Sequence, residues 1–544
     1  MKHASIKKIL LTLVLFLAFL LRAPLLGDLP ALYTDEASLG YSAWSILKTG
    51  RDEFGTFLPV SLRSFGDWKP PLTSYMMIPF IATFGLNEIA VRAPSLFFGI
   101  GTIFLVYVLI AKGFGYERWG VLTAFLLAIT PWHIHHSRMA MLVGPALFFL
   151  TLGILGWVMQ DRGKFWRYAS IVGFVAAIYG YYGSRVIVPL IFGFLLLIRY
   201  RSLHRAWMRG WVGPILVGIF LLSPLFLAFW TNAEVIFGRA RHVSVFTDPS
   251  VRLRVWDDTT ADGEEAASNV VRFWHNKPLA YIADILERTL QHLDPRFLFL
   301  TGDRAEPFEL PGLGPMLWVM FPFFLLGLFR LIRYRPSGWS TLLAWMGIAI
   351  IPAALTFLTP ASNRSFFMVV PLVAIASFGA ELLFVYRHRL LLVIAFMLTI
   401  LHIGYFLHQY YVRLPIELGD KYRYGLKDVV QSVVSKQDKY EKVVLSNSAA
   451  HFIYFLFYTK QDPIEYQQMM RMNPALDKFG FEHVDGYGKY EFRRIFNWRE
   501  EPKHTGILYV AADHEVPGDV PIGYNVQDVI VYPNGRPAYE IIDL

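Results

Sequence analysis

Lys69–Leu86, KPPLTSYMMIPFIATFGL, is the stretch on which the topology of this 544-residue chain turns. Counted as a membrane span, it reverses the side of every loop that follows. A span needs about 20 apolar residues to cross about 30 Å of hydrocarbon. This stretch is short for that, and Pro70, Pro71 and Pro79 punctuate it. Read instead as a juxtamembrane or re-entrant helix, it leaves 27–90 as one long external loop and keeps every short basic loop on one side.

Apolar segments about as long as a span lie on both sides of it. The first follows the N-terminus, MKHASIKKILLTLVLFLAFLLRAPLLGD. Its apolar run exceeds that of a signal peptide and no small-x-small cleavage site follows. It reads as a retained span with Lys2, Lys7 and Lys8 in the cytoplasm. Ten more candidates are 97–111, 119–132, 140–158, 168–182, 186–199, 211–230, 313–330, 339–358, 366–386 and 390–411. The connections alternate between short basic segments (DRGKFWR, RYRSLHRAWMR, RLIRYR, YRHR) and segments without that bias, including a second long loop, 231–312. Placing each basic loop inside gives about eleven spans.

Composition agrees. Hydrophobic residues make up 55% of the chain and charged ones 17%, against roughly 25% charged in soluble domains. The net charge of +9 resides in the basic loops, so it encodes orientation and does not point to nucleic acid. With no cysteine, disulfides and thiolate metal sites are excluded. The expected fold is therefore an α-helical polytopic membrane protein. Its membrane domain covers 1–411, and an extracytoplasmic α/β domain covers 412–544. In that tail GLKDVVQSVVSKQDKYEKVVLSNSAAHFIYFLFYTK reads as helix, strand, helix, with the strand at Val443–Leu445, and HTGILYVAAD supplies another strand. VDGYGKYE has the wrong spacing for a phosphate-binding glycine loop.

Chemistry-bearing residues collect in the first external loop. ALYTDEASLGYSAW, Ala31–Trp44, places Asp35 and Glu36 side by side at the mouth of the bilayer. Locally, Asp35 is as well explained as the N-cap of a helix over 36–47, with Glu36 in its first turn. Three cations share that side: Lys69, Arg92 in NEIAVRAPS and Arg138 in HIHHSRMA. Any one alone reads as an interfacial side chain reaching for headgroups. Beside an acidic pair, Lys and Arg are the groups that would hold a phosphate. His136, on the same side, and Arg296, near the return to the membrane, complete the candidate substrate-binding set. His133, His135 and His136 lack the i, i+4 spacing of a helical zinc site, and WDDTTADGEEAASN lacks the order of a calcium loop, so no metal is assigned.

The order YTDEASLGYSAWSILKTG … WKPPLTSY … NEIAVRAPS … HHSRMAML resembles that of GT-C fold, polyprenyl-phosphate-dependent glycosyltransferases. Within them it is similar to the protein O-mannosyltransferases of glycosyltransferase family 39 and to the lipid A aminoarabinose transferases. The resemblance is carried over about 27–145. It implies inverting transfer of a sugar from a polyprenyl-phosphate donor to an unidentified glycan, lipid or protein acceptor at the outer face of the plasma membrane. It implies Asp35 as the base, Glu36 as its support, and Lys69 and Arg138 as holders of the lipid phosphate. No cofactor is implied; a divalent metal is possible but not indicated. Two departures are visible. Trp68 stands where the aminoarabinose branch has a Glu before its Lys, and RMAMLVG carries no acid after Arg138. The sugar and acceptor subsites are accordingly expected to differ. The competing classes are a transporter, which would place charge at mid-bilayer, and a non-enzymatic scaffold, which needs no acid–base constellation.

Overall fold

The structure is a computed structural model. It describes residues 2–200, 205–263, 268–305, 307–386, 388–446, 451–473, 483–495, 498, 500–501, 506–516 and 523–543. The chain divides into two compact units. One comprises Met1–Arg22, Phe98–Ser137 and Leu142–Phe406; the other comprises Ala23–Phe97, Arg138–Met141 and Leu407–Leu544.

The first unit is helical. Its main helices are Lys2–Leu20, the end of Glu88–Val108, Glu117–Ile129, Val143–Val158, Lys164–Gly180, Ser184–Arg199, Arg205–Thr231, Met320–Tyr334, Trp339–Ala354, Val369–Val385 and most of Arg389–His408. Each apolar segment expected from the sequence falls on one of them. Among the described residues, four helices are long and apolar enough to cross a membrane: Glu88–Gly113, Trp207–Thr231, Ser362–Val385 and Arg389–Glu417. A fifth is added if Pro131–Arg138 and Val143–Val158, bent by 115° at their junction, form one span. Lys2–Leu20 has 19 residues, and the other apolar helices have 17 or fewer.

Apolar helices that share an apolar solvent gain little by hiding hydrophobic area from it, so close backbone approach and polar contacts must join them. Both occur. A Cβ on Gly327 would lie 1.9 Å from the carbonyl oxygen of Ile375, and one on Gly379 would lie 2.0 Å from that of Phe323. Gly173 and Gly153 meet in the same way between Lys164–Gly180 and Val143–Val158. Across Glu117–Ile129 and Val369–Val385, Trp119 Nε1 donates to Ala374 O at 2.6 Å and Thr123 Oγ1 meets Ser377 Oγ at 2.6 Å.

In the second unit a two-stranded hairpin, β1 (Leu62–Ser64) and β2 (Asp67–Lys69), turns through Phe65 and Gly66, which both have positive φ. That is the two-residue turn whose twist matches antiparallel strands. It pairs Leu62 with Lys69. Leu72–Phe84 follows as a 13-residue helix containing Pro79, too short for a full crossing.

The same unit holds a seven-stranded sheet of β3 (Lys442–Leu445), β4 (Arg471–Asn473), β5 (His483–Tyr487), β6 (Tyr490–Phe492), β7 (Ile507–Ala512), β8 (Asn525–Val531) and β9 (Pro537–Asp543). The order is β4-β5-β6-β3-β7-β9-β8, with β3 parallel to both neighbours. Val443–Leu445, expected as a strand, is this buried centre, and VDGYGKYE forms the β5–β6 hairpin.

Segment 23–97 packs with the C-terminal region in this second unit. Helix Thr34–Thr49 lies on helix Phe452–Thr459, close enough that a Cβ on Gly40 would meet the Phe457 ring at 2.9 Å.

The glycine contacts give a sharp contrast. Gly379→Ala should lower the melting temperature in detergent, since overpacking of this kind costs about 1–3 kcal/mol. Gly193→Ala and Gly347→Ala, where a Cβ meets nothing within 4 Å, should be neutral or slightly stabilising. Thermal unfolding of the three purified variants checks this.

Candidate active site

Adjacent residues on an α-helix point about 100° apart. The acidic pair therefore splits between two environments. The helix runs Thr34–Thr49, starting two residues earlier than a helix capped by Asp35, and Tyr33 occupies the N-cap position. Asp35 is not the cap. Its Oδ1 accepts from Lys69 Nζ at 2.6 Å, with the acid 46% exposed and the lysine 8%. Lys69 is held at the end of β2, with its ammonium 5.0 Å from the centre of the Phe65 ring. The hairpin thus aims a buried ammonium at a half-exposed carboxylate.

Glu36 turns inward and is fully buried. Its Oε1 accepts from Arg92 Nε at 2.8 Å and Ala140 N at 2.7 Å, and its Oε2 from Arg92 Nη2 at 2.6 Å and Tyr33 N at 3.0 Å. Arg92 also donates to Leu26 O at 2.9 Å, Pro30 O at 2.8 Å and Ala31 O at 3.1 Å. All five guanidinium donors are spent inside the protein. Arg92, expected in the substrate-binding set, is placed here as a staple between helix Glu88–Val108, segment 26–31 and the start of Thr34–Thr49. Glu36, expected beside the base, is the other half of that staple.

Arg138 is buried in the same unit, its guanidinium 5.3 Å from the ring centres of both Tyr410 and Tyr411. Nη2 donates to Leu29 O at 2.8 Å. Asp35, Glu36, Lys69, Arg92 and Arg138 therefore belong to one unit. His136 and Arg296 belong to the other. His136 stacks 4.3 Å from Phe366 and donates from Nδ1 to Trp132 O at 3.1 Å. It borders a crevice shared with Trp132, Asp303 and Ser362 that has room for little more than a water. Arg296 is 80% exposed and pairs with Asp294 at 3.4 Å.

Sequence reasoning missed the contribution of the C-terminal region. Tyr454 Oη donates to Leu32 O at 3.1 Å and meets Thr34 Oγ1 at 3.1 Å. Tyr41 Oη donates to Gln461 O at 3.1 Å, and Gln467 Nε2 to Asp52 O at 2.9 Å. The available signal was FIYFLFYT, a helix apolar on every side and so destined for burial.

A second carboxylate pair, Asp52 and Glu53, follows the helix. Gly50, at φ 71°, ends Thr34–Thr49 by donating its N–H to Ile46 O at 2.8 Å. Asp52 Oδ1 then accepts from Phe54 N at 3.0 Å and Thr56 N at 2.8 Å. Glu53 is buried, and its Oε2 has no hydrogen-bond partner. Burial, reinforced by the Asp52 charge and only partly offset by Lys69, holds the Glu53 carboxyl well above the usual range. Among the described residues no group of three or more His, Cys, Asp or Glu is placed to hold a metal ion.

The comparisons with known proteins agree with this picture at the level of family resemblance and fold. The family described as dolichyl-phosphate-mannose-protein mannosyltransferase matches residues 12–179. An uncharacterized protein of Aquifex aeolicus is 26% identical over 222 residues, 40% of this chain and 42% of that one, so the match spans less than half the relative's length. Among solved structures, the Archaeoglobus fulgidus oligosaccharyltransferase in complex with Zn and sulfate aligns over 82% of this chain and 61% of its own. The TM-score is 0.50 at 13% identity. ArnT from Cupriavidus metallidurans in the apo state aligns over 100% of this chain and 98% of its own, with TM-score 0.46 and 12% identity. The chain resembles the GT-C fold glycosyltransferases, with the sequence likeness concentrated in the segment that carries Asp35, Lys69 and Arg138.

Two outcomes follow from this geometry. Arg92→Met leaves a buried, unpaired Glu36, which costs about 3–5 kcal/mol, so its first symptom should be lost folded protein in a thermal melt. Glu53 is different. An acid whose folded pKa is raised is stabilising at low pH and loses that contribution as pH rises through its unfolded value. Glu53→Gln should therefore raise the melting temperature at pH 8 relative to the parent and give no such gain at pH 4.

Proposed function

We propose that this chain is an integral-membrane, inverting glycosyltransferase that moves a sugar from a polyprenyl-phosphate carrier to an acceptor hydroxyl at the outer face of the membrane. The observation that carries the proposal is the Lys69–Asp35 contact, a buried ammonium on a half-exposed carboxylate. An ammonium has three donors. One N–H reaches Asp35, leaving others to receive a phosphate oxygen, so base and leaving group would be held on one cation.

In the proposed step Asp35 takes the proton of the acceptor hydroxyl. The freed oxygen forms a bond to the anomeric carbon, and the bond from that carbon to the phosphate oxygen breaks with its electron pair. The leaving group is polyprenyl phosphate, already anionic, so it needs cations more than a general acid. Lys69 supplies one and Arg138 the other. Attack from the face opposite the phosphate inverts the anomeric centre. Glu36 and Arg92 fix the start of helix Thr34–Thr49 and so set where Asp35 points. Supporting the lipid donor, the resembling family is described by its dolichyl-phosphate-mannose substrate. The outer face for 27–90 and the C-terminal region follows from reading each short basic loop as cytoplasmic, the orientation such loops favour.

The variants separate the roles. Asp35→Asn should fold and bind donor, with turnover down by roughly 10²–10⁴. Lys69→Met and Arg138→Met should weaken binding of polyprenyl-phosphate sugar, each by about 1.5–3 kcal/mol. Donor binding and single-turnover transfer, measured with a panel of polyprenyl-phosphate sugars, check both. Full turnover in Asp35→Asn would remove the base from the mechanism.

A further inference from the structure

The loop 231–312 holds a helix whose burial runs opposite to that of a water-facing surface helix. In Lys277–Leu293 the buried side chains are Asp284, Arg288 and His292, at 4%, 7% and 0% exposure. Leu279, Ile282, Leu286 and Leu290 form a stripe along the outside, at 42%, 55%, 58% and 66%. Their spacing of three, four and four keeps them on one face.

The polar side is fully engaged. Arg288 donates to Asp284 at 2.6 Å, Asp248 at 3.2 Å and Thr356 O at 2.7 Å. His292 donates from Nδ1 to Arg288 O at 2.7 Å and accepts Ala361 N at 3.1 Å through Nε2. These contacts fix the outward direction of the apolar stripe, which is therefore not a rotation open to choice.

We infer that Lys277–Leu293 lies in the plane of the bilayer interface with this stripe in the acyl chains, its occupant being membrane lipid. Three observations select lipid. The helix is bonded to the end of the apolar helix Trp339–Ala354 through Thr356, Thr359 and Ala361. It therefore sits at the level where that helix leaves the hydrocarbon. The backbone of 243–245 ties to the same place, with Val245 N donating to Leu355 O at 2.9 Å and Phe357 N to Val243 O at 3.1 Å. The neighbouring helices Pro249–Ala261 and Ser268–Trp274 expose Leu253, Trp256, Phe273 and Trp274. Aromatic side chains of this kind collect where hydrocarbon meets headgroups, and apolar-out amphipathic helices lie in that plane. The inference rests on the membrane reading of the chain, not on any activity.

The absence of native cysteine makes the test direct. Single cysteines replace Leu286 and Leu290 on the stripe, Asp258 on an exposed acidic position, and Leu227 on the exposed side of helix Arg205–Thr231. Each full-length variant is labelled with an environment-sensitive fluorophore. It is then reconstituted in phosphatidylcholine vesicles doped with lipids carrying a quencher near the head or near the end of the acyl chain. Labels at 286 and 290 should be quenched most by the shallow lipid and several-fold less than the 258 label by aqueous iodide. The 227 label should respond to the acyl-chain quenchers and so report separately on the membrane reading. Water-like behaviour at 286 and 290 beside a lipid-quenched 227 overturns the inference alone. So does lipid contact that begins only on adding polyprenyl phosphate, which would make the carrier tail the occupant. Shielding that scales with protein density in the vesicle would assign the face to a second copy and overturn it equally.

Discussion

The buried pair of Glu36 and Arg92 is the constraint on which the candidate site depends. Two charges without exposure are tolerable only if every lone pair and donor is used, and here every one is. The carboxylate holds the N-termini of its own helix and of the Ala140 segment; the guanidinium holds three carbonyls of 26–31. Three stretches distant in sequence, 26–36, Arg92 and Ala140, meet on one ion pair. Asp35, one residue before Glu36, inherits its direction from this arrangement and is left facing outward to Lys69.

Much of this organisation was legible. The apolar segments, the short proline-interrupted stretch after Lys69 and the central strand at Val443–Leu445 all lie in helices or strands of the expected type. The acidic pair and the cations Lys69, Arg92 and Arg138 drew attention for their charge in an apolar chain. What charge could not reveal was their division of labour. Adjacent acids on a helix diverge, so one of Asp35 and Glu36 had to turn inward. Which one did depends on the partner that reached it, and Arg92 is 56 residues from Glu36. Arg92 and Arg138 look alike as letters, and both donate to backbone carbonyls; it is the two-point contact with Glu36 that marks Arg92 as a staple.

The loop 231–312 shows a second limit. Its acids and turns read as a solvated external segment, and an amphipathic period does not say which face is inside. In Lys277–Leu293 the ion pair of Arg288 and Asp284, anchored on Thr356, turns the charged face to the protein. The usual assumption that the apolar face seeks the core fails because apolar solvent is available on the other side.

The hydrogen bonds that join Tyr454 and Gln461 to segment 32–41 carry a consequence for biosynthesis. Tyr41 and Gln461 are 420 positions apart, and Thr34 and Tyr454 equally so. Contacts this remote close only after the intervening chain has been made, at roughly 5–20 residues per second, and after both partners have reached the same side of the membrane. The helix bearing Asp35 is synthesised long before the helix it packs against, Thr34 preceding its partner Tyr454 by 420 positions. A nascent chain therefore carries this helix with its packing surface still missing, and the carboxylate and its ammonium reach their final setting only after Phe452–Thr459 has been made.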